Sequence, residues 1–197
     1  THMVVAGYDS ALANRLIGAL NNPNYTLYPM HDVKGVELCG AAKNVYGGLA
    51  GMCVGSNNDT LRGSLMCASL AEMESYLEAM QCMPKTARRL PLLGDYDATM
   101  YDLNSHNLNY GIEIVKQNTN DPKLPFVSIE GRQAVSGLLE RMKKYNNQVS
   151  DTMQLQAHLL ETYKAIIDGA ITPSNAIIAI KQAIGKVYSS DNLYNKY

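Results

Sequence analysis

Gly35-Val36-Glu37-Leu38-Cys39-Gly40-Ala41-Ala42-Lys43-Asn44-Val45-Tyr46-Gly47-Gly48-Leu49-Ala50-Gly51 is the stretch on which the reading of this chain turns. It stays apolar and small to about Val54, with Gly40, Gly47, Gly48 and Gly51 at near-turn spacing. Each glycine inside a helix costs about 1 kcal/mol relative to alanine. Several along one helix are expected where tertiary packing brings another backbone close. A long, closely packed helix is therefore predicted from Gly35 to about Val54. Lys43 is the only charge between Glu37 and Asp59. Two readings of it are open. Burial disfavours the charged form of an amine and suits it to proton exchange with a carbonyl or alkoxide; alternatively, a buried stem carries its head out to water.

Downstream the pattern stays helical. Asp59-Thr60 opens a helix with Leu61, Leu65, Leu70, Met73, Leu77 and Met80 as its stripe. Pro84 and Pro91 bracket a short helix, Gly94-Asp95 punctuates, and a short segment runs from Tyr96 to Leu103. Ser105 is a natural N-cap for a helix with Leu108, Ile112 and Val115 inward. After a polar loop from Asn118 to Pro125, Glu130 to Lys144 carries Val135, Leu138, Leu139 and Met142. Asp151-Thr152 is expected to cap a helix bearing Leu155, Leu159, Tyr163, Ile166 and Ile167 and ending at Gly169. Thr172-Pro173 precedes a last helix from Ser174 to about Val187.

Upstream the texture differs. His2 to Ala6 reads as a short buried strand, and Gly7 and Asp9-Ser10 as a turn and cap. Leu12, Leu16, Ile17 and Leu20 make a helical stripe that Asn21-Asn22-Pro23-Asn24 breaks, and Tyr25 to Tyr28 reads as a second strand. One β–α–β unit needs neighbouring strands to complete a sheet, so this piece reads as the end of a larger one. The fold class expected is mainly α, with seven or eight helices behind a short N-terminal β–α–β. The divisions expected are residues 1–31, an all-α domain over 32–188, and a polar, frayed tail over 189–197.

Composition narrows the function classes. The 197 residues are 46% hydrophobic and 18% charged, which excludes wholesale disorder. Seventeen Lys and Arg against 18 Asp and Glu leave a net charge of -1, so no basic field awaits nucleic acid or anionic lipid. The longest weakly polar run, Val45 to Gly55, is about half a membrane span and is interrupted by glycines. Thr1-His2-Met3 lacks the basic region of a secretory leader and reads as native sequence or a cloning remnant. Cys39, Cys53, Cys67 and Cys82, spaced 14, 14 and 15 apart, form no C-x-x-C pair. They are expected to be reduced, one small apolar residue per helix face, in a cytoplasmic protein without a bound metal.

Few residues invite chemistry on spacing alone. Asp95 follows the apolar Leu92-Leu93-Gly94 and either holds a lysine or, more simply, caps the next helix. Ser105-His106-Asn107 opens a helix, where free N–H groups and the positive dipole end attract an anion such as phosphate. Val4-Val5-Ala6-Gly7 before a helix imitates a dinucleotide turn but offers one glycine where G-x-G-x-x-G is needed. His2, His31 and His158 have no partners at ligand or triad spacing and read as surface or satisfied histidines.

Gly35 to Asn44 resembles G-V-E-L-G-G-A-L-K-N, a signature of the NAD(P)-dependent glycerol-3-phosphate dehydrogenases. Ser69-Leu70-Ala71-Glu72-Met73 resembles that family's G-L-A-E-M. Gly94-Asp95, Thr99 and Ser105-His106-Asn107 resemble G-D-L-x-x-T followed by S-R-N-R-R-F-G, with Tyr110-Gly111 closing it, and Ile129-Glu130-Gly131 resembles V-E-G. The similarity covers about residues 3 to 180. It implies a 6-phosphogluconate-dehydrogenase-like helical domain, preceded by the last β–α–β of a Rossmann domain.

The resemblance also implies an activity, the interconversion of dihydroxyacetone phosphate and sn-glycerol 3-phosphate with NAD or NADP. On it, Lys43 would exchange the proton at the substrate oxygen and Asp95 would orient Lys43. Asn44, Thr99, Ser105, His106 and Asn107 would meet the substrate and its phosphate, and Ser128, Glu130 and His106 would lie beside the cofactor. Partners would be a small phosphorylated triose, the missing nucleotide-binding domain and a second copy in a homodimer, with no nucleic acid and no membrane span. Two departures matter. His106 stands at the family's arginine, and the next basic positions are Leu108 and Asn109. The glycine-rich half of the nucleotide domain is not in this chain, so by itself it is expected to hold no dinucleotide and to be inactive. The alternative is a non-catalytic or re-purposed relative that uses the helical domain for dimerisation or another ligand.

Overall fold

Asp32 sits where the backbone changes from sheet to helix, and its carboxylate is shared across the junction. Oδ1 accepts the Gly35 N–H at 3.0 Å, capping the helix that follows, while Oδ2 accepts from Met83 N–H (3.0 Å) and Thr86 Oγ1 (2.7 Å). The cap lies so close to Gly35 that a Cβ there would collide with the carboxylate and push it from its place. The computed structural model in which this is seen describes residues 1–122, 124 and 129–189.

Before Asp32 stand β1 (His2–Ala6), α1 (Ser10–Leu20) and β2 (Thr26–Met30). The strands pair in parallel from His2–Thr26 to Ala6–Met30. After it come α2 (Val33–Gly55), α3 (Leu61–Ala79), a π-helical turn at Leu90–Gly94, α4 (Asp95–Tyr101), α5 (His106–Lys116), α6 (Glu130–Asn146), α7 (His158–Ile167) and α8 (Ala176–Ser189). α2 is buried along its length and touches all six later helices. A helix with no polar face can be stable only in such a central position. No helix among the described residues is long and apolar enough to cross a membrane.

Of the glycines whose spacing predicts a close backbone, Gly51 meets one, whereas Gly47 and Gly48 face the side chains of Thr99 and Tyr163. α2 and α5 cross backbone to backbone: a Cβ on Gly51 would run into the Leu108 carbonyl oxygen, and one on Gly111 into that of Gly48. Gly40 faces open space instead, so packing does not account for it.

Several expectations are corrected. Neither β1 nor the α1 stripe is buried: β1 runs from exposed at His2 to half-buried at Ala6, and Leu12, Leu16 and Leu20 are 44–53% exposed, because a two-stranded sheet has too little surface to bury them. The second strand ends two residues later than predicted, at Met30. Asp151-Thr152 opens only a 3₁₀ turn (Asp151–Met153), and α7 begins at His158, leaving Leu155 in the connection. Pro173–Asn175 is likewise a 3₁₀ turn before α8, and Pro84–Thr86 is one where a short helix is predicted. Cys39 and Cys53 are buried, and burial pushes both thiols up to about 12, but Cys67 is exposed and no apolar face claims it. Residues 190–197 of the predicted tail lie outside the described residues.

Candidate functional site

Lys43 and Asp95 are 52 positions apart in the chain, and the fold brings them into an ion pair, Nζ to Oδ2. Lys43 reaches it from the middle of α2. Asp95 is the first residue of α4, delivered by the π-helical turn that precedes it. Such turns are rare and are frequent at functional sites. The simpler reading of Asp95 as a cap is overturned, since α4 has no side-chain cap and this carboxylate goes to the lysine. The Lys43 side chain is 24% exposed, so the amine is neither sealed in the core nor carried out to water.

A second cluster adjoins the first through Asn44. Asn107 is buried at the second position of α5, and both protons of its amide are engaged, by Asn44 Oδ1 and by Glu130 Oε2, each at 3.1 Å. Its oxygen accepts the Gly131 N–H at 2.9 Å. Gly131 is required here, because a Cβ would press within 2.7 Å of the Asn44 carbonyl oxygen. One buried amide thus fixes the starts of α5 and α6 to the middle of α2. Gly47, one turn beyond Lys43, completes the convergence, with Thr99 Cγ2 2.9 Å and Asn107 Cβ 3.7 Å from where its Cβ would stand.

The remaining predicted residues are placed as follows. Thr99 spends its hydroxyl on the Asp95 carbonyl one turn back, at 2.7 Å. Ser105 is the cap that its sequence position suggests, its oxygen accepting the Leu108 N–H at 3.3 Å. His106 opens α5 on an exposed position, and Glu130 opens α6, also exposed. Ser128 lies outside the described residues. The structure therefore joins Lys43 to Asp95 and Asn44 to Asn107 and Glu130, with Thr99 between the two groups. Asp9 at the first turn holds the Ala11 and Leu12 N–H groups (2.9 and 3.0 Å), the donors that a dinucleotide turn would offer to diphosphate.

Sequence reasoning missed Glu72, Tyr46 and Tyr96. Glu72 of α3 is buried, and its oxygens accept from Leu159 N–H (2.7 Å), Leu160 N–H (3.2 Å) and the Tyr46 hydroxyl (3.2 Å). It caps α7 from another helix, because Ala157 at that helix start has no side chain to do so. Burial pushes its carboxyl up to about 8, against the opposing pull of the three donors. The available signal was a carboxylate within the apolar stripe of α3 together with a helix start that lacks a cap.

With this geometry in view, the comparison with known proteins is specific. Residues 32–178 match the family model described as NAD-dependent glycerol-3-phosphate dehydrogenase C-terminus. The chain belongs to this family. Among curated relatives, a glycerol-3-phosphate dehydrogenase [NAD(P)+] of Sinorhizobium fredii is 33% identical over 178 residues, covering 90% of this chain and 51% of that protein. The Brucella abortus protein of the same description is 30% identical over 183 residues, covering 91% and 52%. The chain thus spans about half the length of the curated relatives it matches. A solved glycerol-3-phosphate dehydrogenase from Coxiella burnetii superposes with a TM-score of 0.76 at 23% identity, over 96% of this chain and 55% of that one. One from Plasmodium falciparum superposes at 0.72 and 16%, over 89% and 50%. At those identities the superpositions establish the shared fold, a helical domain behind a short β–α–β.

Proposed function

We propose that this chain is the C-terminal substrate domain, with the last β–α–β of a nucleotide-binding domain over 1–31, of an NAD(P)-dependent glycerol-3-phosphate dehydrogenase. The observation that carries the reading is the Lys43–Asp95 pair set beside the Asn44–Asn107–Glu130 cluster at the start of α5. Ketone reduction needs a proton donor at the oxygen and a hydride at the carbon. The nicotinamide supplies the hydride. Lys43 Nζ gives the proton to the carbonyl oxygen of dihydroxyacetone phosphate, and takes it back in the reverse direction. Asp95 keeps Nζ aimed and compensates its charge. The phosphate faces the first turn of α5, where Ser105 and His106 stand at the positive end of the helix dipole. Asn107, whose side chain is fully engaged, offers that anion its backbone and keeps the turn in place.

The start of α5 supports a phosphorylated triose as the substrate. At the first βα turn the N–H groups of Ala11 and Leu12 are taken by Asp9. On this reading Glu130, exposed at the start of α6, lies at the edge of the cofactor. A cytoplasmic setting belongs to the same reading.

A second reading, a re-purposed relative, has one observation in its favour. Of the four arginines that could stand in for the one missing at His106, three are held elsewhere, Arg62 by Asp59 and the Met100 carbonyl, Arg88 by Glu74 and Arg132 by Asp121 and Tyr110, while the fourth, Arg89, is exposed beside β1 and β2. Dihydroxyacetone-phosphate-dependent oxidation of NADH or NADPH by the full-length gene product separates the two. The dehydrogenase reading expects turnover that Lys43→Met lowers by at least about 10²-fold, the usual loss on removing a general acid or base, at unchanged circular dichroism. Absence of turnover with either cofactor, or near-normal turnover in Lys43→Met, overturns it.

A further inference from the structure

Tyr96 follows Asp95 directly and is completely buried, in a first turn of α4 that is otherwise open to water. Its ring meets that of Tyr46 at 5.8 Å between centroids, tilted by 51°. Its hydroxyl donates to the Tyr46 carbonyl of α2 at 3.4 Å. Tyr46 is held in turn by Glu72, also on α3. Lys43 precedes Tyr46 by three residues, so it lies on the same side of α2. Two rungs therefore connect α2 and α4, one turn apart: an outer rung, Lys43 to Asp95, and an inner rung, Tyr46 to Tyr96.

The outer rung alone does not account for the register of the pair. Asp95 is half exposed, and α4 has neither a side-chain cap nor a long helix to stiffen it. An exposed ion pair by itself orders two side chains weakly. The inner rung is buried and polar and contacts two helices, and a hydrogen bond in that setting selects one arrangement of α4 over others. The family motif quoted above has leucine at the position of Tyr96.

We propose that Tyr96 is a positioning residue, its hydroxyl locking α4 onto the Tyr46 carbonyl so that the Asp95 carboxylate stays on Lys43. This rests on the assignment of Lys43 and Asp95 as the proton-exchanging pair. Tyr96→Phe is the informative change, since it removes one oxygen and leaves nothing buried without a partner. The Tyr46 carbonyl keeps its own helical bond.

In the full-length gene product, Tyr96→Phe is expected to lower kcat for dihydroxyacetone phosphate reduction about tenfold, as misplacement of a reacting group does, with KM within about twofold. In an Asp95→Asn background the same change should cost nothing further, because no carboxylate remains to be aimed. In this chain alone, the Lys43 Nζ resonance in nitrogen-15 NMR should shift in Asp95→Asn and shift part of the way in Tyr96→Phe. Unaltered kcat in Tyr96→Phe, an equal loss in both backgrounds, or an unaltered Lys43 signal overturns the proposal. Near-normal turnover in Lys43→Met defeats the underlying assignment as well; loss of turnover there with none in Tyr96→Phe defeats the proposal alone.

Discussion

At the scale of single residues, His106 is the position that most tests the proposed substrate. It opens α5 on an exposed face, beside the Ser105 cap and the buried Asn107. A guanidinium is permanently charged and grips phosphate with two parallel bonds, whereas an imidazole offers a single donor of variable charge. A hydrogen bond to a charged group is worth about 1.5–3 kcal/mol, which is roughly ten- to hundredfold in affinity. His106→Arg is therefore expected to lower the KM for dihydroxyacetone phosphate by about tenfold or more in the full-length gene product, with kcat little changed because Lys43 and Asp95 are untouched. Steady-state kinetics at one pH and ionic strength decide it. An indifferent KM would remove phosphate from the first turn of α5 and strengthen the re-purposed reading.

At the scale of the elements, the α2–α5 crossing and the start of α7 each make a quantitative demand. A methyl group on Gly51 has to displace the Leu108 carbonyl, which belongs to backbone and cannot rotate away. Gly51→Ala is expected to cost about 3 kcal/mol, the upper range for overpacking, whereas Gly40→Ala, which meets open space, should gain up to about 1 kcal/mol of helix propensity. Urea unfolding of the two variants should give midpoints on opposite sides of the parent; shifts of the same sign would show that the crossing is not as close as described. Glu72 makes the second demand. Its carboxyl, held at about 8 in the folded chain, keeps a proton that the unfolded chain releases from about pH 4.5 upward. Stability from this group is complete below about 4.5 and falls as pH rises toward 8, on the order of 1 kcal/mol per unit. Glu72→Gln cannot titrate, so the stability difference between variant and parent should slope with pH across that window. A difference flat from pH 5 to 8 would mean that Glu72 is already ionised in its cavity.

At the scale of the whole molecule, the two parts on either side of Asp32 differ in how much they bury. α2 and its neighbours share one core, whereas α1 buries only Ala13 and leaves Leu12, Leu16 and Leu20 at the surface. Opening free energies follow such differences in burial, so amide hydrogen exchange should be fastest in residues 1–31 and slowest in the middle of α2. Equal protection in both would contradict the contrast in packing. The same division shows where sequence was informative. The cap oxygens of Asp9, Asp32 and Ser105 act within three residues of themselves, and the glycines of α2 report a close neighbour without naming it; such signals are local and can be read along the chain. The four ordered motifs, too, led to the family that the comparison with relatives establishes. Asp95 was ambiguous because capping and pairing ask for the same residue type, and only the meeting of α4 with α2 chose between them. Leu155 looked helical by periodicity, yet α7 starts after it, since the carboxylate that caps its first N–H groups comes from Glu72, 87 residues earlier. Sequence by itself determined where the long helices lie and that one small-residue helix must be tightly enclosed, because propensity, capping and periodicity act between near neighbours. Tertiary structure alone decided which carboxylate meets Lys43, which helix caps another and which apolar stripe stays in water, because those outcomes depend on faces brought together from distant parts of the chain.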